Sequence, residues 1–166
     1  FVEEGVPPAE FHGGFGMINV HDIPKPTYHL FHFFSRLGTE VLSRTPRSLF
    51  TRRDDGHLVG VLWNPNNRAL DSQRFACRLE LPEGANYVAR TLLADETHAN
   101  PYRTWQLLGR HRNPSREQLA LLHESTRPAC RCQPLDRRDG KACLDITLEK
   151  NACMMVDLIP VEDQAA

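Results

Sequence analysis

Two adjacent carboxylates, Glu3 and Glu4, stand shortly before a string of aromatics and glycines, Phe11-His12-Gly13-Gly14-Phe15-Gly16. Neighbouring side chains of an extended chain point opposite ways, so one carboxylate can face a pocket while the other meets solvent. A carboxylate so placed accepts hydrogen bonds; a solvated acidic loop is the plainer alternative. His12 lies between aromatic rings, where a lone histidine either lines a site or simply packs. Phe11 and Phe15 either wall a pocket or join a core.

Other reactive side chains read as structure. His29 and His32 sit three apart on a predicted helix, a spacing that can chelate, but no third ligand matches them. Asp95, Glu96 and His98 have the types needed for acid/base work. Next to Asn100-Pro101, however, such residues build a loop or cap a turn. Trp105 offers a flat platform, and Trp63 ends a strand pattern where packing is expected. The cysteines are Cys77, Cys130, Cys132, Cys143 and Cys153. Their number is odd, and Cys130-Arg131-Cys132 is not the C-x-x-C of zinc or redox sites, so they read as structural thiols with no metal. Reduced thiols favour the cytoplasm.

The elements that must position these residues change along the chain. The Gly/Pro-rich segment 1–23 suits a loop with positive φ or close backbone approach. Residues 24–43 read as a helix entered through Pro24 and Pro26, with Tyr28, Phe31, Phe33, Phe34, Leu37 and Val41 on a wide apolar face. Gly38 marks a break near Leu37, making the tail to Ser43 a separate turn. From Ser48 the period becomes two. Strands are predicted at Ser48–Arg52 and His57–Trp63 around the turn Asp54-Asp55-Gly56, then at Arg74–Leu81, Tyr87–Ala94, Ala142–Glu149 and Cys153–Ile159, the last stopped by Pro160. A helix beginning at Ser115 carries a capping box with Gln118. The sum is a mainly β fold: an antiparallel sandwich with one inserted helix.

Twenty basic against 21 acidic residues leave a net charge of −1, which excludes a basic nucleic-acid footprint and a basic membrane patch. A hydrophobic share of 40% supports a packed core, and no apolar run has the length of a membrane span. The start Phe1-Val2-Glu3-Glu4 lacks an initiator Met and a signal sequence, and reads as an internal start within a longer polypeptide.

Two stretches resemble a known family. The first joins Phe1-Val2-Glu3-Glu4, Phe11-His12-Gly13-Gly14-Phe15-Gly16-Met17-Ile18 and Ile23-Pro24-Lys25-Pro26-Thr27-Tyr28, continuing through Phe33-Phe34-Ser35-Arg36-Leu37-Gly38. It looks like glycoside hydrolase family 39, the β-xylosidases and their α-L-iduronidase relatives. The second, Asp95-Glu96-Thr97-His98-Ala99-Asn100-Pro101-Tyr102 with Trp105, Gly109 and Pro114-Ser115, is similar to that family's sandwich domain.

The resemblance implies a (β/α)8 barrel followed by a β-sandwich. Residues 1–44 would then be the loop after the eighth barrel strand and the last barrel helix, and residues 45–166 the sandwich. It implies a retaining hydrolase without a cofactor, whose two catalytic glutamates lie upstream, so that no catalytic residue is in this chain. Glu4, Glu3, His12 and Phe15 would line the sugar site, since barrel sites form at the C-terminal face. The implied partners are a xylose-containing oligosaccharide and the barrel itself. The rival readings are a non-catalytic carbohydrate-binding sandwich, which needs a row of exposed aromatics on one sheet, and a packing module with no ligand. On this reading the helix face of Tyr28, Phe31, Phe34 and Leu37 has no obvious partner within the chain, and the helix either lies against the sandwich edge as a strained substitute or leaves a large apolar patch.

Overall fold

The computed structural model describes residues 10–11, 13, 15–65 and 71–161. Helix α1 (Pro26–Phe34) precedes strands β1 (Glu40–Thr45), β2 (Ser48–Arg52), β3 (Leu58–Asn64), β4 (Ser72–Glu80) and β5 (Asn86–Ala94). Helices α2 (Pro101–Leu107) and α3 (Arg116–Glu124) follow, then β6 (Ala129–Pro134), β7 (Arg137–Arg138), β8 (Lys141–Glu149) and β9 (Ala152–Val161). The strands form two antiparallel sheets, ordered β1-β2-β3-β9-β5-β6 and β4-β8-β7. The fold is mainly β, and among the described residues no helix is long and apolar enough to cross a membrane.

The shared core explains the alternating strands. Phe75 and Leu79 of β4 and Ala142, Leu144 and Leu148 of β8 point inward against Phe50, Leu58, Leu62, Val156 and Leu158 of the larger sheet. Arg74, Arg78 and Glu80 point outward and are exposed. Gly60 is placed by close approach: a Cβ there would lie 2.1 Å from the Phe50 ring. Gly56, at φ 82°, turns the β2–β3 hairpin, as the Asp54-Asp55-Gly56 signal predicts.

Strand β3 is apolar on both faces, and α1 docks on its outer face, neither at the sandwich edge nor with its apolar face left open as expected. Its residues Val59 and Val61, with Ala94, Cys153 and Met155, form a second cluster on the outer face of the larger sheet. Phe33 of α1 is fully buried in that cluster, and Leu30, Phe34, Leu37 and Trp63 pack around it. The expectation failed because it assigned all the strands' apolar area to the core between the sheets. Phe31 alone of the aromatic stripe is strongly exposed, at 61%.

Other expectations need correction. The helix ends at Phe34, and residues 40–44 belong to edge strand β1, so Val41 lies exposed on a strand and not on a helix face. Gly38 makes this reversal possible, since a Cβ there would sit 2.1 Å from the Arg52 carbonyl oxygen. Two helices are inserted after β5 where one was expected. The Asn100 side chain caps α2 by accepting the Arg103 N–H, and Pro101 occupies the first turn. The capping box of Ser115 and Gln118 opens α3 as expected. Pro160 does not stop β9: it pairs with Tyr87 of β5, beyond the last β3 partner at Leu158.

A charged group is buried on the outer sheet face. Asp157, 2% exposed, accepts from His57 Nδ1 at 2.7 Å and from Arg90 Nη2 at 2.6 Å. Removing one partner strands the carboxylate, although a third of Arg90 is open to water and screens part of the loss. Arg90→Met is expected to cost roughly 2 kcal/mol of unfolding free energy, and Arg90→Met combined with Asp157→Leu to recover most of it. Urea unfolding of both variants tests this; a double variant weaker than the single one defeats it.

Candidate functional site

The loop ahead of α1 is fixed from two sides. On one side, the Glu10 side chain is fully buried. Asn19 Nδ2 donates to its Oε2, and the His21 Nδ1 hydrogen-bonds its Oε1. Asn19 is itself buried, and its Oδ1 accepts the N–H groups of His21 and Ile23 at 3.0 and 2.9 Å. The turn closes through a bridge between Ile18 and Pro24 and a bond from Lys25 N–H to Met17 C=O at 2.8 Å, directly before α1. Glu10 is thereby tied to the helix entrance.

On the other side, Phe11 packs against α2. Its ring centroid lies 5.9 Å from Tyr102, edge-on, and 5.8 Å from Trp105. Trp105 is held in turn by its Nε1–H, which donates to the His111 carbonyl at 3.0 Å. Phe11 has φ 51°, a left-handed conformation a phenylalanine rarely takes without support. The two stretches of sequence that carry the family resemblance therefore meet in space at Phe11.

Of the residues expected to line a site, Glu3, Glu4 and His12 lie outside the described residues. Phe15 is 91% exposed, so it belongs to no described core. Gly13 and Gly16 take φ 85° and 99°, as a glycine loop requires. Trp105 and Trp63 are both engaged in packing, the latter on Phe34 at 5.5 Å. Sequence reasoning passed over Glu10, Asn19 and His21. The signal was an acidic residue at the head of the aromatic string and an Asn-x-His-Asp turn before Ile23-Pro24, too general to single out alone.

The Asp95 cluster is a turn. Burial pushes the Asp95 carboxyl up, but the Thr97 and His98 N–H groups donating to it outweigh this and hold it below the usual carboxylate range. The chain then reverses through Ala99 at φ 56° into the Asn100 cap. Burial, assisted by the charge of Asp95, pushes the Cys153 thiol up to about 12, so it is not a nucleophile at neutral pH. The five cysteines are free thiols.

The model of glycosyl hydrolases family 39 matches residues 1–142, and the chain belongs to that family. It is 36% identical over 167 residues to a β-xylosidase of Geobacillus stearothermophilus, an alignment that takes in all of this chain and 33% of that one. It is 30% identical over 130 residues to a β-xylosidase of Caldicellulosiruptor saccharolyticus, across 74% of this chain and 26% of that one. The chain thus spans about a third of the length of the first of these relatives and about a quarter of the second. Among solved structures, the family 39 enzyme of Xanthomonas axonopodis pv. citri superimposes with a TM-score of 0.78 at 20% identity, over 97% of this chain and 36% of that one. A monomeric β-xylosidase of Caulobacter crescentus CB15 gives 0.76 at 17% identity, over 94% and 35%. A bacterial orthologue of human α-L-iduronidase gives 0.63 at 21% identity, over 85% and 28%.

Proposed function

We propose that the chain is the C-terminal portion of a retaining hydrolase of β-xylosidase type that releases xylose units from short β-linked oligosaccharides. The observation that carries this reading is the 36% identity to a β-xylosidase across the full length of the chain. In a retaining hydrolase two carboxyl groups about 5–5.5 Å apart act as acid/base and nucleophile. Here both are assigned to the polypeptide ahead of Phe1, on the strands of a (β/α)8 barrel. Residues 1–44 supply the last loop and helix of that barrel, apart from the few that join β1. The sheets that follow support them. Glu4, with Glu3, His12 and Phe15, lines the sugar pocket, and Glu4 accepts a hydrogen bond from a sugar hydroxyl.

The expected result follows from that bond. In the full-length enzyme, Glu4→Ala lowers kcat/KM on an aryl β-xyloside by about 1.5–3 kcal/mol, or about 10- to 150-fold, while the sheets stay folded. The 166-residue chain alone is expected to show no turnover above a boiled control. An unchanged kcat/KM in Glu4→Ala, or turnover by the isolated chain, overturns the assignment.

A further inference from the structure

We propose that Glu10 is a positioning residue for the sugar-facing loop, fixing the base of the glycine string to the entrance of α1 through Asn19 and His21. This rests on the reading of that loop as a pocket rim. A buried carboxylate is costly unless its lone pairs are occupied, and both Glu10 oxygens are occupied by side chains of a single turn. Asn19 is the joint: its amide donates to Glu10 while its carbonyl holds two backbone N–H groups of the turn that leads into Pro24. The carboxylate therefore fastens the backbone at residue 10 to a rigid element. The next residue, Phe11, is held in its left-handed conformation between that clamp and the rings of Tyr102 and Trp105.

The side chains that hold the Glu10 carboxylate, Asn19 and His21, both belong to the turn before α1 and neither lies on a strand. The backbone is fixed at residues 10 and 11, the base of the loop, and a misplacement of about 1 Å in a positioning segment can cost on the order of 100-fold in rate. Glu10 does not touch sugar in this account; it acts through the loop it holds.

The test is made in the full-length enzyme, reading kcat, KM and the thermal midpoint on an aryl β-xyloside. Glu10→Ala is expected to lower kcat/KM on the order of 10- to 100-fold with little change in midpoint. Glu10→Gln keeps an acceptor on the clamp and should recover most of that loss. His21→Ala removes the part-exposed partner of one buried Glu10 oxygen and should cost on the order of 3- to 10-fold. It decides the question alone if Glu10→Ala does not fold. Loss below about two-fold in the deciding variant, or no recovery in Glu10→Gln, overturns the clamp. Glu4→Ala measured alongside separates the two readings. An inert Glu4 with an impaired, rescued Glu10 removes the sugar bond and keeps the clamp; the reverse pattern removes the clamp alone.

Discussion

Phe33→Ala is expected to lower the unfolding free energy by about 3–5 kcal/mol, which for a chain of this size is a large part of its stability. The ring is fully buried between α1 and the outer face of the larger sheet, among Val59, Val61, Ala94, Ala99, Cys153 and Met155. Truncation loses the transfer energy of the ring and leaves a cavity that β3 and β9 cannot collapse into, because both are paired on each side within the sheet. Phe31→Ala is the internal control. It removes the same ring from the exposed side of the same helix, and should change stability by no more than about 0.5 kcal/mol. Urea unfolding of the 166-residue chain measures both. A Phe33→Ala loss below about 1 kcal/mol would mean that α1 does not dock on the sheet.

This contrast also marks what the sequence could tell. The strands whose sides differ were legible: β4 and β8 alternate, and their apolar positions are the buried ones. The Asp54-Asp55-Gly56 turn and the Ser115 capping box were legible because both are local hydrogen-bond codes. Strands β6 and β7 were not. Ala129–Pro134 is an edge strand with five exposed positions, so no alternation betrays it. Strand β1 was hidden for a related reason: Val41 continues the apolar spacing of the helix, and only tertiary pairing with β2 pulls it into a sheet. The docking face of α1 was misjudged by one helical step. The buried residues of α1 are His29 and Phe33, selected by the apolar outer face of β3 and β9 and not by the helix itself. Of the candidate site, family likeness pointed to the glycine loop, whose expected lining residues Glu3, Glu4 and His12 lie outside the described residues; the buried Glu10 is defined by a fold-back onto Asn19 and His21 that no local spacing encodes.

His29 should make the chain acid-sensitive through that same helix. Its ring is 5% exposed, against Phe33 and Tyr28, and its Nε2 finds no hydrogen-bond partner among the described residues. Burial, and then the proximity of the basic His32, lower its pKa from 6.5 to about 4. The folded value lies below the unfolded one, so between them the unfolded chain binds a proton that the folded chain refuses. The resulting stability is fully present above about pH 6.5 and is lost as pH falls toward 4, by up to about 3 kcal/mol from this group. Carboxylates held below their usual range, such as Asp95, lose their contributions at lower pH in the same direction, so the wild-type slope alone cannot assign the effect. The comparison with His29→Leu can. Leucine cannot take up a proton and leaves no buried nitrogen unpaired, so the variant should match or exceed the wild type near neutrality in cost terms while losing most of the decline between pH 6.5 and 4.5. His32→Ala, at an exposed position, removes only the smaller cause and should shift the acid transition slightly. Urea midpoints of the three chains across that window measure this. Parallel pH profiles for wild type and His29→Leu would show that α1 accommodates a charged imidazole, and the helix would then have to move off the sheet, or admit water, well above pH 4.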